Sequence, residues 1–519
     1  KKEIRHYTGG SGSKSYLVSQ DNGKTWSKGS GNADYPGNYG GIKKESPAIA
    51  RNPKSKEFIR VQPIRGFVFI SKGGIDGKWG AVTKKGTLDF NWQDKSRHAN
   101  YLKLGGIMRT PTFVKKGKRL IIPFHGGGTT GASFHISDDG GLTWTKSKTT
   151  LKSPPHQKSD IDKGYRWQNL CVEGTLMELK NGKLWTLLRT SQNQHYETFS
   201  ADYGMTWSKA EPSRFFGQCT MQTMFRMKDG RLVSSWTNTQ VLPENITATG
   251  RGEDAFTNRD SHHLAISEDD GKTWFGFREI ILDENRNKGN YATYHGREDR
   301  GKHQSEIVQI DKNKILISLG QHHVHRRLMS IDLNFLYEKK RQNTFENELE
   351  DWTVHTYIPQ KKGHCAYNRK QGSFLIEKGG KKMLQIRRIT DASLTDTKKQ
   401  VDYQKNGATW NFPNGKKGRV SFTFKLDKDH GGTQVSLTDR LFNACDESTQ
   451  KLSIFTLKLK KGKKIGPIKL KANKTYKLSL KWKGVGSNSK CIIYLNKKKV
   501  KTIKAVNSSP NGISYIHFI

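Results

Sequence analysis

Cysteine is scarce and scattered. Cys171, Cys219, Cys365, Cys445 and Cys491 form no Cys-x-x-Cys pair, which argues against a disulfide framework or a zinc site. No apolar run approaches the roughly 20 residues that cross a bilayer, so membrane insertion is not expected. No signal peptide is visible, yet the chain opens at Lys1 in mid-pattern. A processed or trimmed N-terminus is therefore expected. Acidic residues are few beside basic ones: 47 Asp+Glu against 91 Lys+Arg, a formal net charge of +44. Such a field attracts polyanions. No zinc knuckle, RNP-type motif or basic helix accompanies it, which disfavours nucleic acid as the partner. Helical periodicity is nearly absent. Hydrophobic residues make up only 33%, but 12 Trp and 17 Tyr suit β-sheet cores built from aromatics.

What is present is a repeat. Ser267-Glu268-Asp269-Asp270-Gly271-Lys272-Thr273-Trp274 reads Ser-x-Asp-x-Gly-x-Thr-Trp, and the pattern recurs from Ser19 to Trp26, Ser137 to Trp144 and Ser200 to Trp207. A degraded copy runs from Ser71 through Asp76 and Gly77 to Trp79. A short strand leads into each copy. The Asp is placed to accept from turn N–H groups, and the Gly supplies positive φ. Thr-Trp is expected to start the next strand, its indole covering a neighbouring core. One such hairpin cannot bury its own apolar face, so the copies must pack side by side.

These stretches are Asp-boxes, and with their flanks they resemble the sialidase-like superfamily over roughly residues 1–340. The resemblance implies a β-propeller. The box aspartates Asp21, Asp76, Asp139, Asp202 and Asp269 lie 55 to 67 residues apart, one four-stranded blade per unit, so the expectation is six blades. The first unit lacks the innermost strand, and the sixth has no box. After Tyr337 the pattern changes, and Glu338 to Asp351 is a polar boundary. Beyond it come amphipathic strands at Phe374, Met383, Val420, Lys451 to Leu459, Thr475, Cys491 and Ile513, the pattern of a β-sandwich. The expected fold is thus all-β: a six-bladed propeller over 1–345 and a concanavalin- or laminin-G-like sandwich over 351–519. The Lys458 to Lys464 and Lys497 to Lys501 runs fit either acidic glycan binding or solvated edge-strand turns.

In a propeller the first strand of each blade lines the axis, so polar groups at first-strand starts and second-strand ends converge. That rule selects Glu45, Arg109, Glu173, Gln218, His303 and Gln304, with His125, Arg189, Asn238, Gln321 and His322. The fourth unit is the most informative, because Glu173 and Arg189 fall on adjacent antiparallel strands. They form either a cross-strand ion pair or part of a site. Sialidases carry a similar Glu…Arg pair. The resemblance implies that Glu173 assists the nucleophile and Arg189 clamps a substrate carboxylate, the bidentate geometry that favours Arg. It also makes Arg259, in Asn258-Arg259-Asp260, a second carboxylate-binding Arg. Arg109, in Met108-Arg109-Thr110-Pro111, resembles the family's Arg-Ile-Pro motif, although here that motif falls in the third unit.

The departures from the family are specific. Where it places a Tyr nucleophile, this chain reads Lys302-His303-Gln304-Ser305-Glu306. Tyr291 and Tyr294 lie nearby. Thr8 to Lys14 offers no match for the family's acid Asp. His125, His262, His263, His295, His303, His322, His323 and His325 open another route, because a neutral His or a Tyr can serve β-elimination on a uronate. The expected function is cleavage of an acidic glycan (sialylated, uronate-bearing or sulfated) by a secreted, periplasmic or surface glycoside hydrolase. The catalytic candidates are Glu173, Tyr291, Tyr294 and His303. The substrate-binding candidates are Arg109, Arg189, Arg259, His125, Gln304 and His322. No metal or cofactor is expected, and a monomer is. A polysaccharide lyase and a non-catalytic glycan-binding protein are the alternatives.

Overall fold

The computed structural model describes residues 3–7, 15–30, 48–64, 67–73, 83–87, 107–108, 111–125, 131–154, 170–217, 220–240, 259–284, 286–287, 301–320, 326–358, 368–387, 395–396, 401–402 and 406–519. Six antiparallel sheets follow one another along the first two thirds of the chain. The fourth is complete: Val172–Glu178, Leu184–Arg189, Gln194–Ser200 and Glu211–Phe216. The fifth repeats it with Thr223–Arg226, Leu232–Trp236, Ser261–Ser267 and Phe275–Leu282. The first sheet shows three strands, Ile4–Tyr7, Ser15–Ser19 and Ser27–Ser30. Its repeat turn follows the middle one, so these are the outer three strands of a blade.

The turns have the chemistry that their composition dictates. Asp202 accepts from the Thr206 backbone N–H and hydroxyl and from Ser200 Oγ. Trp207 Nε1 donates to the Gly204 carbonyl at 2.9 Å. Asp21, Asp139 and Asp269 repeat the arrangement. At Asp139 burial alone would raise the carboxyl, but bonds from Thr143, Ser137 and Leu142 outweigh it and hold it below the ordinary range. Thr-Trp closes the turn rather than starting the next strand. The following strands begin at Ser27, Thr145, Glu211 and Phe275, because the indole is folded back onto its own glycine.

Those indoles and glycines join the third, fourth and fifth sheets each to the one before it. Trp144 of the third sheet packs with Ala50 and Ile59 of the second. Trp207 of the fourth stacks on Phe134 of the third, ring centroids 4.2 Å apart. Trp274 of the fifth lies in one core with Trp185 of the fourth. Gly271 is so close to Trp185 that an added Cβ would meet its ring at 2.9 Å. The series then returns to its start. A Cβ on Gly23 of the first sheet would lie 3.6 Å from Leu316 Cδ1 of the sixth. Burial, and then the Arg326 guanidinium of the sixth sheet, lower the His6 imidazole of the first. The six sheets therefore form a closed ring, a six-bladed propeller.

Two larger sheets among the remaining described residues pack as a β-sandwich. One sheet runs in the order Trp352–Thr353, Ala408–Gly415, Ile513–Phe518, Thr433–Thr438, Phe455–Leu459. The other runs Gly418–Lys425, Thr475–Trp482, Lys490–Leu495, Lys498–Lys504. Their inner faces share a core that includes Trp410, Phe455, Leu478 and Ile493. A strand expected from Lys451 begins only at Phe455. Glu447–Leu452 winds instead into a 3-10 turn in which the Asp446 side chain accepts from the Ser448 amide.

The sandwich is docked on the propeller through buried polar bonds. Asn411 accepts from Glu279 N and donates to the Phe277 carbonyl. The Tyr515 hydroxyl donates to Glu279 Oε1 at 2.7 Å and also bonds His263 Nε2. Arg440 bonds Gln240 and lies 4.0 Å from the centre of the Phe216 ring.

Candidate functional site

The first strands of successive sheets are neighbours around the axis. Met224 N donates to Thr175 Oγ1, and Thr223 Oγ1 donates to the Ser305 carbonyl. The starts of these strands accordingly share one end of the ring. Glu173 sits at the start of the fourth. Arg189 ends the adjacent strand and donates from Nη1 to Glu173 Oε2 at 2.5 Å, with both side chains buried.

The local backbone is irregular. Val172 pairs with Arg189, but Thr175 pairs with Leu187, so one extra residue is accommodated between them as a β-bulge. Glu173 takes φ 47° there, a left-handed conformation costing on the order of 1–2 kcal/mol for a residue with a side chain. The next residue is glycine because of a close approach. A Cβ on Gly174 would lie 3.0 Å from both Leu188 Cδ2 and Thr186 Oγ1. A buried ion pair on a strained bulge is an arrangement that folding alone does not favour.

His195, which the sequence rule did not select, also belongs to this region. Its Nε2 lies 2.8 Å from the Thr220 carbonyl at the approach to the fifth sheet. Burial pushes its imidazole down to about 4, against the backbone bonds to Thr220 and Phe215, and Arg189 lowers it further. A neutral imidazole therefore adjoins the Glu173–Arg189 pair.

A second cluster marks the start of the sixth sheet. Arg259 Nη1 lies 2.8 Å from His303 Nε2, both buried. Arg has no acceptor nitrogen, so His303 accepts there and is the neutral Nδ1–H tautomer. His262 lies beside them. Burial, then the neighbouring His303, takes it down to about 3. Ser235 Oγ links His262 Nε2 at 2.5 Å to Ser305 Oγ at 3.0 Å. Lys302, read in the sequence only as part of a segment lacking Tyr, is buried and pairs with buried Asp283 at 3.3 Å.

The other sequence-selected residues are distributed as follows. His125 is buried at the end of its strand in the third sheet. Gln304 takes φ 58° and is half-buried between His303 and Ser305. Asn238 does not face an axial pocket: its Nδ2 donates to the Asp439 carbonyl of the sandwich, which covers that strand end. Glu45, Arg109, Gln218, Tyr291, Tyr294, Gln321 and His322 lie outside the described residues. Among the described residues no group of three or more metal-ligating side chains occurs, and no helix is long and apolar enough to cross a membrane. A shallow cavity of about 330 Å³ opens at the opposite end of the ring. Asn22, Asp229 and Asp311 are among its lining residues, and it marks the seam between the first sheet and the last two.

Residues 67–303 match the family model of the BNR repeat-like domain. Similar solved structures include the NanB sialidase from Streptococcus pneumoniae, at 15% identity over 64% of this chain and 66% of that one, with a TM-score of 0.39. The Trypanosoma rangeli sialidase matches at 13% identity over 97% and 86%, with a TM-score of 0.36. A protein of unknown function from Dyadobacter fermentans matches at 16% identity over 59% and 79%, with a TM-score of 0.37. No curated protein matches the chain.

Proposed function

We propose that this chain, whose residues 67–303 match the BNR repeat-like domain, is a glycoside hydrolase that cleaves an acidic glycan at the axial end where Glu173 and Arg189 lie. The carrying observation is their buried 2.5 Å bond on a strained bulge. In this reading Glu173 acts as base or as partner of the nucleophile. Arg189 and Arg259, with Arg109, orient the carboxylate or sulfate of the sugar, for which a planar guanidinium fork is the matched donor. Tyr291, Tyr294 or His303 is the nucleophile or proton carrier. His125, Gln304 and His322 complete the substrate contacts. Residues 1–345 carry the chemistry, and 351–519 act as a lectin-like accessory on a secreted or surface-exposed monomer. The test is product analysis on sialylated, uronate-rich and sulfated glycans, followed by Glu173→Gln and Arg189→Ala on whichever is cleaved. Wild-type turnover in both variants removes these roles.

The Arg259–His303 contact favours a second reading, β-elimination on a uronate polysaccharide. A uronate carboxylate that drew Arg259 off His303 would free the Nε2 lone pair to take the proton α to it, and Arg259 would neutralise the developing charge. An unsaturated product absorbing in the ultraviolet distinguishes it from hydrolysis. Specific binding without product on any glycan would favour an adhesion role instead.

A further inference from the structure

The last 72 residues, 448–519, contain eighteen lysines and not one Asp or Glu. The fold concentrates part of that charge on one surface. In the four-stranded sheet of the sandwich, Gly418–Lys425 alternates half-buried and exposed positions along its length, so Val420, Phe422 and Phe424 face the core while Arg419, Ser421 and Thr423 face outward. Pairing carries this alternation across the sheet. Arg419 is directly opposite Lys481, Ser421 opposite Ser479, and Thr423 opposite Lys477. Further along, Lys490 is opposite Lys504, and Tyr494 opposite Lys499.

Two of these pairs set like charges against each other, which weakens a sheet. The four strands supply no acid to offset them. Arg419 lies over the Tyr494 ring, 5.6 Å from its centre, and Ser421 Oγ is 2.7 Å from Ser479 Oγ. The outer face therefore carries cations and hydroxyls, with Ile492 and Tyr494 among them. Adjacent strands lie about 4.8 Å apart, so the Arg419–Lys481 and Lys490–Lys504 pairs each set two cations at about that spacing on this face.

We propose that this face binds a linear sulfated polysaccharide, separately from the axial site. Charge complementarity gives the polyanion. The preference for a polysaccharide over other polyanions rests on the function proposed above; the face itself does not. Nucleic acid is disfavoured because single strands are held by stacking on exposed aromatic rings, and Tyr494 is already covered by Arg419. An anionic membrane is disfavoured because no large exposed hydrophobic residue lies on these strands.

The test uses the full chain and size-fractionated dextran sulfate. Replacing Lys477, Lys481, Lys490 and Lys504 together by Ser should weaken binding at least about tenfold and flatten its salt dependence, since each released counterion contributes to the slope. Replacing Lys54, Lys116, Lys209 and Lys272, all exposed on the propeller, should change binding less than about twofold. Equal loss in both variants would show attraction by net charge alone and overturn the proposal. Tighter binding of a DNA oligonucleotide, or of phosphatidylserine vesicles, through the same four lysines would also overturn it. Should the quadruple variant misfold, lysine acetylation of the wild-type protein gives an independent reading. Dextran sulfate should protect Lys477, Lys481, Lys490 and Lys504 and leave the propeller lysines reactive; uniform protection refutes the proposal. Glu173→Gln should bind dextran sulfate normally, so failure of the axial reading and failure of this one are separable.

Discussion

Arg189 reaches Glu173 across a β-bulge, and the 2.5 Å bond between them is buried on both sides. The regular register from Thr175 and Leu187 would set Glu173 directly opposite Arg189; the extra residue pairs Val172 with Arg189 instead, and the two side chains still meet. Removing one partner leaves the other charge buried alone. Arg189→Ala should therefore cost about 3–5 kcal/mol of stability. Glu173→Gln keeps the shape and should cost less, while turnover falls about 100- to 10,000-fold. Denaturant melts run beside rate measurements separate the two effects.

The repeat tryptophans should prove structural. Trp207 is buried and stacked on Phe134. Trp207→Ala should destabilise by about 3–5 kcal/mol, with the turnover of the folded fraction unchanged. Gly204→Ala should also destabilise, since φ is +95° and the new Cβ would meet Ile121 Cδ1 at 2.9 Å. Chemical denaturation of both variants checks this.

Acid should loosen the ring through histidines. Burial lowers His135 and His262 to about 3 and His195 to about 4, from an ordinary value of 6.5. Below 6.5 the unfolded chain takes up protons that the fold refuses. Their contribution is complete above that value and drains as pH falls toward 4. Melting temperature should drop between about pH 7 and pH 4.5. His195→Gln should show a shallower drop.

Glu279 should act in the opposite direction. Burial raises it to about 7 from 4.5, against the Tyr515 hydrogen bond and the charges of Arg286 and Arg341. A raised carboxyl stabilises below 4.5, and that contribution is lost as pH rises through 7. Glu279→Gln should therefore melt higher than wild type at about pH 8 and no higher at about pH 4. Tyr515→Phe, which deprives Glu279 and His263 of a shared hydroxyl, should cost about 1–3 kcal/mol. Differential scanning calorimetry across this range measures both.

The propeller was legible because its signal is local. Every bond made by the Asp202 side chain reaches no further than four residues, so the turn can be read from eight letters. Glu173 and Arg189 were legible because strand alternation and a short hairpin bring them together. The bulge between them was not, since positive φ at a Glu has no signature in composition. Arg259 and His303, 44 residues apart, meet only through the placement of two blades. Asn238 was misplaced for a similar reason: its partner is Asp439, 201 residues away. Its surroundings depend on how the sandwich docks.

Gly23 resting against Leu316 also bears on synthesis. The segment that emerges early from the ribosome finds its neighbour only after the sixth sheet has been translated. Until then Trp26 has no partner sheet, and the nascent assembly is an open arc with apolar edges at both tips. Contacts so distant along the chain form slowly, so an arrested or cleaved intermediate would be prone to self-association. The last joint to form is thus the one that chaperones would have most reason to guard.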